Sequence, residues 1–281
     1  MTPEILLDGL AFPECPRWHE GALYFSDMHA GVVWRVSADG RSTKVLELPT
    51  FPGGLGWLAD GTLQAVSMRD RRLLRLTPQG LITLADLSPF AAHPINDMVI
   101  DRHDRAYIGQ FGFDLNRGEA PLPTTLLLVE PNGHVRVAAQ DLLFPNGMVI
   151  TPDGSTLILA ETLCARLTAF DIQPDGSLAR RRTFATLEGL FPDGICLDRE
   201  GAVWVACPAG ANRIVRVNSS GTIIDTIPLP GRDSFACMLG GTERCDLFVC
   251  TAQSYLPEET RKACAGRIEV IRVTVPGAGL P

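Results

Sequence analysis

Apolar and polar residues alternate in short bursts along the whole chain. STLILAE (155–161), AVWVACP (202–208) and RIVRVNSSG (213–221) put branched or aromatic side chains at every second position, and D-G, N-G or S-G follows many such runs. A period of two with β-branched content predicts strands, and those dipeptides predict hairpins. A helical period is nowhere sustained. The bursts recur as a larger unit. FPNGMVITPDG (144–154) and FPDGICLDREG (191–201) are nearly the same phrase, and four more copies align with them, placing Glu14, Gly53, Asn96, Asn146, Asp193 and Ala236 in one column. Each copy reads as four strands: one after the column residue, a second such as STLILAE, a third such as VVWRVSADG (32–40) or TLLLVEPNG (125–133), and a short fourth.

Six four-stranded units of this length predict an all-β, six-bladed β-propeller occupying residues 1–281 as one domain. The sixth unit lacks a fourth strand, while Glu4-Ile5-Leu6-Leu7 precedes the first as a spare. The N-terminal strand is therefore expected to complete the last blade and close the ring, which removes exposed sheet edges. Two packed sandwiches, the rival all-β arrangement, would not require six copies of one phrase.

The first strand of each blade lines a propeller's channel, so the column residues enter it at one end. Glu14, Asn96, Asn146 and Asp193 bring side-chain oxygens; Gly53 and Ala236 leave room. A lone P-N-G or P-D-G reads equally well as a turn. Four oxygen-bearing groups on one axis would instead repel and lack partners without a cation. An oxygen-only set that includes neutral amides favours one divalent metal, Ca²⁺ before Zn²⁺, Mn²⁺ or Mg²⁺.

The 281 residues carry a net charge of −7, which argues against nucleic acid as a partner. No signal peptide or apolar run of membrane length is visible, so a cytoplasmic protein that does not enter membranes is expected. Eight cysteines without C-x-x-C spacing, several in strand-like runs (Cys164, Cys196, Cys207, Cys250), read as reduced core thiols. Cys15 and Cys237 each follow a column residue in blades that adjoin through ring closure, and could lie close together.

E-C-P-R-W (14–18), P-I-N-D-M-V-I-D (94–101), F-P-N-G-M-V-I-T-P-D-G (144–154) and F-P-D-G-I-C-L-D (191–198) together resemble the SMP-30/gluconolactonase/LRE family over essentially the whole chain. The resemblance implies a six-bladed propeller with a divalent metal in its channel, ligated by Glu14, Asn146 and Asp193, with Asn96 beside it contacting substrate or a water. It also implies a hydrolase that opens lactones. Fluorophosphatase-type propellers use a similar set, so a phosphotriesterase is one alternative and a non-catalytic small-molecule-binding propeller another. One departure stands out: sugar-lactone members often carry Arg two residues before the Asn that matches Asn96, and here that position is Pro94.

On this view the metal polarises a lactone or ester carbonyl, and Asp193 acts as general base or as nucleophile. Asn96 joins it as a catalytic residue, and Glu14 serves the metal alone. His93, Gln110 and Glu161 are expected near the channel mouth as substrate contacts, though loop capping or a structural His accounts for them as well. Two long connections, 111–125 and 253–266, are candidate lids. Phe111, Phe113 and Tyr255 offer an apolar wall, and Arg117, Arg261 and Lys262 are candidate attractors for an anionic product or plain solvated charges. A ring without edges is compatible with a monomer or a homodimer.

Overall fold

A computed structural model describes residues 2–37 and 40–281. Residues 38 and 39, in the first repeat's D-G hairpin, lie outside the described residues. Among the described residues, the strands form six four-stranded antiparallel sheets arranged as the repeats predicted. The strand Glu4–Leu10 pairs with Gly266–Arg272, with Glu4 opposite Val270 and Leu10 opposite Gly266, so the N-terminus supplies the outer strand of the sixth blade. No helix among the described residues is long and apolar enough to cross a membrane.

The core lies between blades. Second strands such as Leu63–Ser67 and Val203–Cys207 are buried along their whole length. Val66 and Leu73 of the second blade pack with Met98, Ile108 and Leu127 of the third, and Ile158 and Leu167 of the fourth pack with Ile195 and Val203 of the fifth. Fourth strands such as Ile223–Pro228 are largely exposed. Burial on both faces is why inner strands read as continuous apolar runs and the outer ones do not.

Neighbouring inner strands touch where the phrase repeats. A Cβ on Gly147 would sit 2.7 Å from the Asp193 carbonyl oxygen, and one on Gly194 would sit 2.5 Å from the Ala236 Cβ. Backbone bonds join the blades at the same place, Gly147 N–H to the Asp193 carbonyl (3.2 Å) and Gly194 N–H to the Phe235 carbonyl (2.8 Å). The glycine of P-N-G and P-D-G is thus required by close approach of two backbones, not by a turn.

The ends of the channel differ. At the end opposite the column, the C-terminal tail crosses the inner strands: Leu280 exchanges backbone bonds of 2.8 and 2.9 Å with Ile150, and Ala278 N–H donates to the Leu197 carbonyl. At the column end, segment 253–266 contains a helix, Pro257–Ala263, and segment 111–125 a 3₁₀ turn, Leu115–Arg117. Pro257 begins the helix, Glu258 and Glu259 occupy its first turn and Arg261 and Lys262 its last, as the helix dipole favours. Seven residues are too few to display a helical period in the sequence.

Candidate active site

A cavity of about 290 Å³ opens at the column end, lined where the inner strands begin by Glu14, Asn96, Asn146 and Asp193. All four are 6–7% exposed. Their common direction has a local cause. In five blades the pairing of first and second strands slips at or beside the column residue, between Glu14 and Arg17, Pro52 and Leu55, Ile95 and Met98, Pro145 and Met148, and Ser234 and Ala236. A bulge re-aims the side chain it carries. In the fifth blade the regular strand starts only at Ile195, and Asp193 is held just ahead of it by its N–H to the Ala206 carbonyl (3.0 Å).

Asn96 Nδ2 donates to Asn146 Oδ1 (3.1 Å), and Asn146 Nδ2 donates to Thr162 Oγ1 (3.2 Å), whose hydroxyl donates to the Pro192 carbonyl (2.8 Å). The chain fixes both carboxamides. Glu14 Oε2 accepts from Cys15 N–H (2.8 Å), a contact made with Cys15 in the left-handed region at φ 49°. Among the described residues neither Glu14 nor Asp193 forms a salt bridge; Arg17, whose charge acts on Glu14, is committed to Asp97 at 2.5 Å. Burial pushes the Glu14 carboxyl up to about 8, against the Cys15 N–H, and the Asp97 charge adds to the push. Burial also holds Asp193 well above the usual carboxylate range, with Glu14 as the next cause.

This donor chemistry fits a hard divalent cation. Two carboxylates and two carboxamides offer only oxygens, and a cation would relieve the cost of burying both carboxylates without a positive partner. Among the described residues no group of three His, Cys, Asp or Glu side chains is placed to hold a metal, so any ion here would depend on the carboxamides.

The SMP-30/Gluconolactonase/LRE-like region profile matches residues 12–253. The chain belongs to the SMP-30/gluconolactonase/LRE-like family. It is 28% identical over 278 residues to the 6-deoxy-6-sulfogluconolactonase of Pseudomonas putida, covering 95% of this chain and 93% of that protein. Among solved structures, a luciferin-regenerating enzyme superposes with a TM-score of 0.84 at 20% identity, covering 99% of both chains. A calcium-binding protein, regucalcin, from Agrobacterium tumefaciens superposes with a TM-score of 0.83 at 22% identity, covering 100% of this chain and 96% of that one. At those identities the structures speak for the fold.

In this SMP-30-like propeller the other sequence-selected residues divide sharply. Phe111, Phe113 and Tyr255 line the cavity; His93, Gln110 and Glu161 do not. Gln110 Nε2 donates to Thr125 Oγ1 (2.7 Å). Glu161, fully buried, takes Thr168 Oγ1 at 2.5 Å, Arg166 Nε at 2.9 Å and Arg181 at 3.1 Å. His93 is partly exposed, with Nδ1 3.8 Å from Glu119. The physical reason is strand parity. Gln110 and Glu161 end their strands bonded to the third strand of their own blade, whereas Phe111 and Thr162, one residue on, line the cavity. The same exit positions in other blades supply Met28 and His29, Met68 and Arg69, and Pro208 and Ala209. A second column drawn through those positions would have found them.

The remaining charges and thiols also sort out. Arg117 is a solvated side chain paired with Asp114 at 3.4 Å, and Arg261 Nε donates to the His29 carbonyl (2.7 Å). Neither lines the cavity; Arg69 does, its guanidinium 3.8 Å above the Phe51 ring. All eight cysteines are free. Cys237 lies 3.7 Å from Cys196, and Cys164 sits in a 3₁₀ turn, not a strand.

Proposed function

We propose that the cavity hydrolyses lactones with the help of one divalent cation, Ca²⁺ in the first instance, held by Glu14, Asn146 and Asp193. The observation that carries this is the convergence of two buried carboxylates without a salt-bridge partner and two fixed carboxamides on one cavity. The family, which includes lactonases, supports the same reading. When bound, the cation supplies Lewis acidity at the substrate carbonyl.

The chain's own groups do the rest. Asn96, held by Asn146, donates toward the carbonyl or positions a water. Asp193 takes a proton from that water as it adds to the carbonyl carbon; the ring C–O bond then breaks and the proton passes to the leaving alkoxide, giving a hydroxy acid. In a second form of the step Asp193 itself attacks and water releases the resulting acyl group. A single turnover in H₂¹⁸O that leaves label in the Asp193 carboxylate marks attack by Asp193 with water then adding at the Asp193 acyl carbon; direct water attack leaves that carboxylate unlabelled. The apolar rings around the cavity exclude bulk water and so strengthen these interactions.

The test is to strip the protein with a chelator and follow proton release from γ- and δ-lactones before and after adding Ca²⁺, Mn²⁺, Mg²⁺ or Zn²⁺. Activity that returns with an ion, and is missing in Asp193→Ala and Glu14→Ala, is the expected result. Metal-loaded protein that turns over no lactone would defeat the lactonase assignment and direct attention to phosphotriesters.

A further inference from the structure

Away from the oxygen set, the cavity wall is built of rings. Phe12 and Phe235 meet edge to face at 4.7 Å, and Phe144 contacts Phe111 at 4.7 Å and Phe113 at 5.6 Å. Met28, Met68 and Pro94 fill the spaces between them. Phe191 and Tyr255, 40% and 47% exposed, stand at the mouth where an incoming apolar group would cover them.

Several of the wall's polar side chains already have partners within the protein. Thr162 donates to the Pro192 carbonyl and accepts from Asn146. His29 Nδ1 is bonded to Thr260 Oγ1 at 2.7 Å, and the ring lies flat on Phe12 with centroids 4.5 Å apart. Arg69 packs its guanidinium over Phe51, and Asp114 accepts from the Arg117 N–H (3.2 Å). A substrate that brings a ring of hydroxyl groups would bury several of them against phenylalanine, and each unpaired hydroxyl disfavours binding. A substrate that brings hydrocarbon would be drawn in by the same surface.

We infer that the substrate is a lactone whose ring carries an alkyl or aryl group instead of hydroxyls. The inference rests on the lactonase reading above and specifies its substrate class. A cavity of about 290 Å³ limits the molecule to one small ring with a short apolar substituent. The oxygen set receives the ester group and the phenylalanine wall receives the substituent.

The experiment compares three six-membered lactones that differ only in substituents: unsubstituted δ-valerolactone, δ-decalactone with its pentyl chain, and glucono-δ-lactone with its hydroxyls. Each kcat/KM is measured on metal-loaded protein and divided by the spontaneous hydrolysis rate. The expected order is δ-decalactone first, exceeding glucono-δ-lactone by on the order of 100-fold, the modest discrimination an apolar pocket achieves against added hydroxyls. Phe191→Ser, at the exposed mouth, should shrink the preference for δ-decalactone over δ-valerolactone by roughly tenfold, the range for one lost apolar contact. Metal-dependent turnover that favours glucono-δ-lactone would overturn the inference while leaving the lactonase reading intact. No turnover of any of the three, in protein shown to bind the ion, would defeat the lactonase reading and this inference with it.

Discussion

Arg17 reaches across two blades to the carboxylate of Asp97 at 2.5 Å, both side chains almost wholly buried, next to Asn96 of the candidate site. The same guanidinium donates to the Leu55 carbonyl (2.9 Å) and the Met98 carbonyl (2.7 Å), so it ties the inner strands of the first three blades together. Arg17→Met would leave the Asp97 charge buried and uncompensated, a loss expected at about 3–5 kcal/mol. Urea denaturation measures it. Arg17→Met combined with Asp97→Asn should recover part of the loss; a single variant that costs less than about 1 kcal/mol would show that the pair is not what fastens these blades.

His29 joins the mouth of the cavity to the helix Pro257–Ala263 through Thr260, and Arg261 and Arg69 stand around it. Burial first, and those two guanidinium charges second, push its pKa down to about 3. The unfolded chain therefore binds a proton on His29 near pH 6.5, and the folded chain only near 3. Stability from this residue is present above about pH 6.5 and falls as the pH drops toward 3. Between pH 7 and pH 4.5 wild type should lose roughly 2–3 kcal/mol more than His29→Gln, following about 1.4 kcal/mol per pH unit. Denaturation midpoints of both proteins at the two pH values check this, and equal losses would refute it.

The blades and their closure were legible because a repeat reports on backbone geometry six times over. FPNGMVITPDG and FPDGICLDREG share the glycine that two inner strands need at their closest approach, and differ at the residue aimed into the cavity. The column thus revealed which side chains meet. What stayed hidden depended on single steps of register. Phe111 is legible as part of the wall but Thr162 is not, and Gln110 and Glu161 fall one residue short of the cavity, because parity at the strand exit cannot be counted without knowing where each bulge falls. The contact between Cys196 and Cys237 was equally out of reach, since it depends on packing between faces of adjacent blades.

Glu161, expected from the sequence as a substrate contact, is instead held by Thr168, Arg166 and Arg181 of its own blade. Burial opposes its ionisation, but hydrogen bonds from Thr168 and Arg166 outweigh it and leave its pKa lowered. Glu161→Gln removes the charge that Arg166 and Arg181 share and should cost about 2 kcal/mol of stability, because two guanidinium groups lose their common partner. Its kcat/KM on a lactone should stay within about threefold of wild type, as the side chain lies outside the cavity wall. A large drop in kcat at unchanged stability would return Glu161 to the substrate.

Asp193 offers a test in which stability and function move in opposite directions. Its pKa is raised by burial and by Glu14, so in metal-free protein its ionisation at neutral pH works against folding. The penalty begins as the pH rises through the unfolded carboxylate's pKa near 4. Asp193→Asn keeps the shape and removes the charge. In the presence of a chelator at pH 7.5 it should melt above wild type by roughly 3–6 °C, about 1–2 kcal/mol for a chain of this size. The advantage should vanish below about pH 3, where the wild-type carboxyl is protonated in both states. Added Ca²⁺ should reverse the order at neutral pH, because wild type gains about 2.7 kcal/mol at a hundredfold excess over Kd while the Asn variant gains little. Thermal melts with and without the ion make the comparison. An Asn variant that is less stable without metal, or that gains as much from Ca²⁺ as wild type, would remove Asp193 from the ligand set.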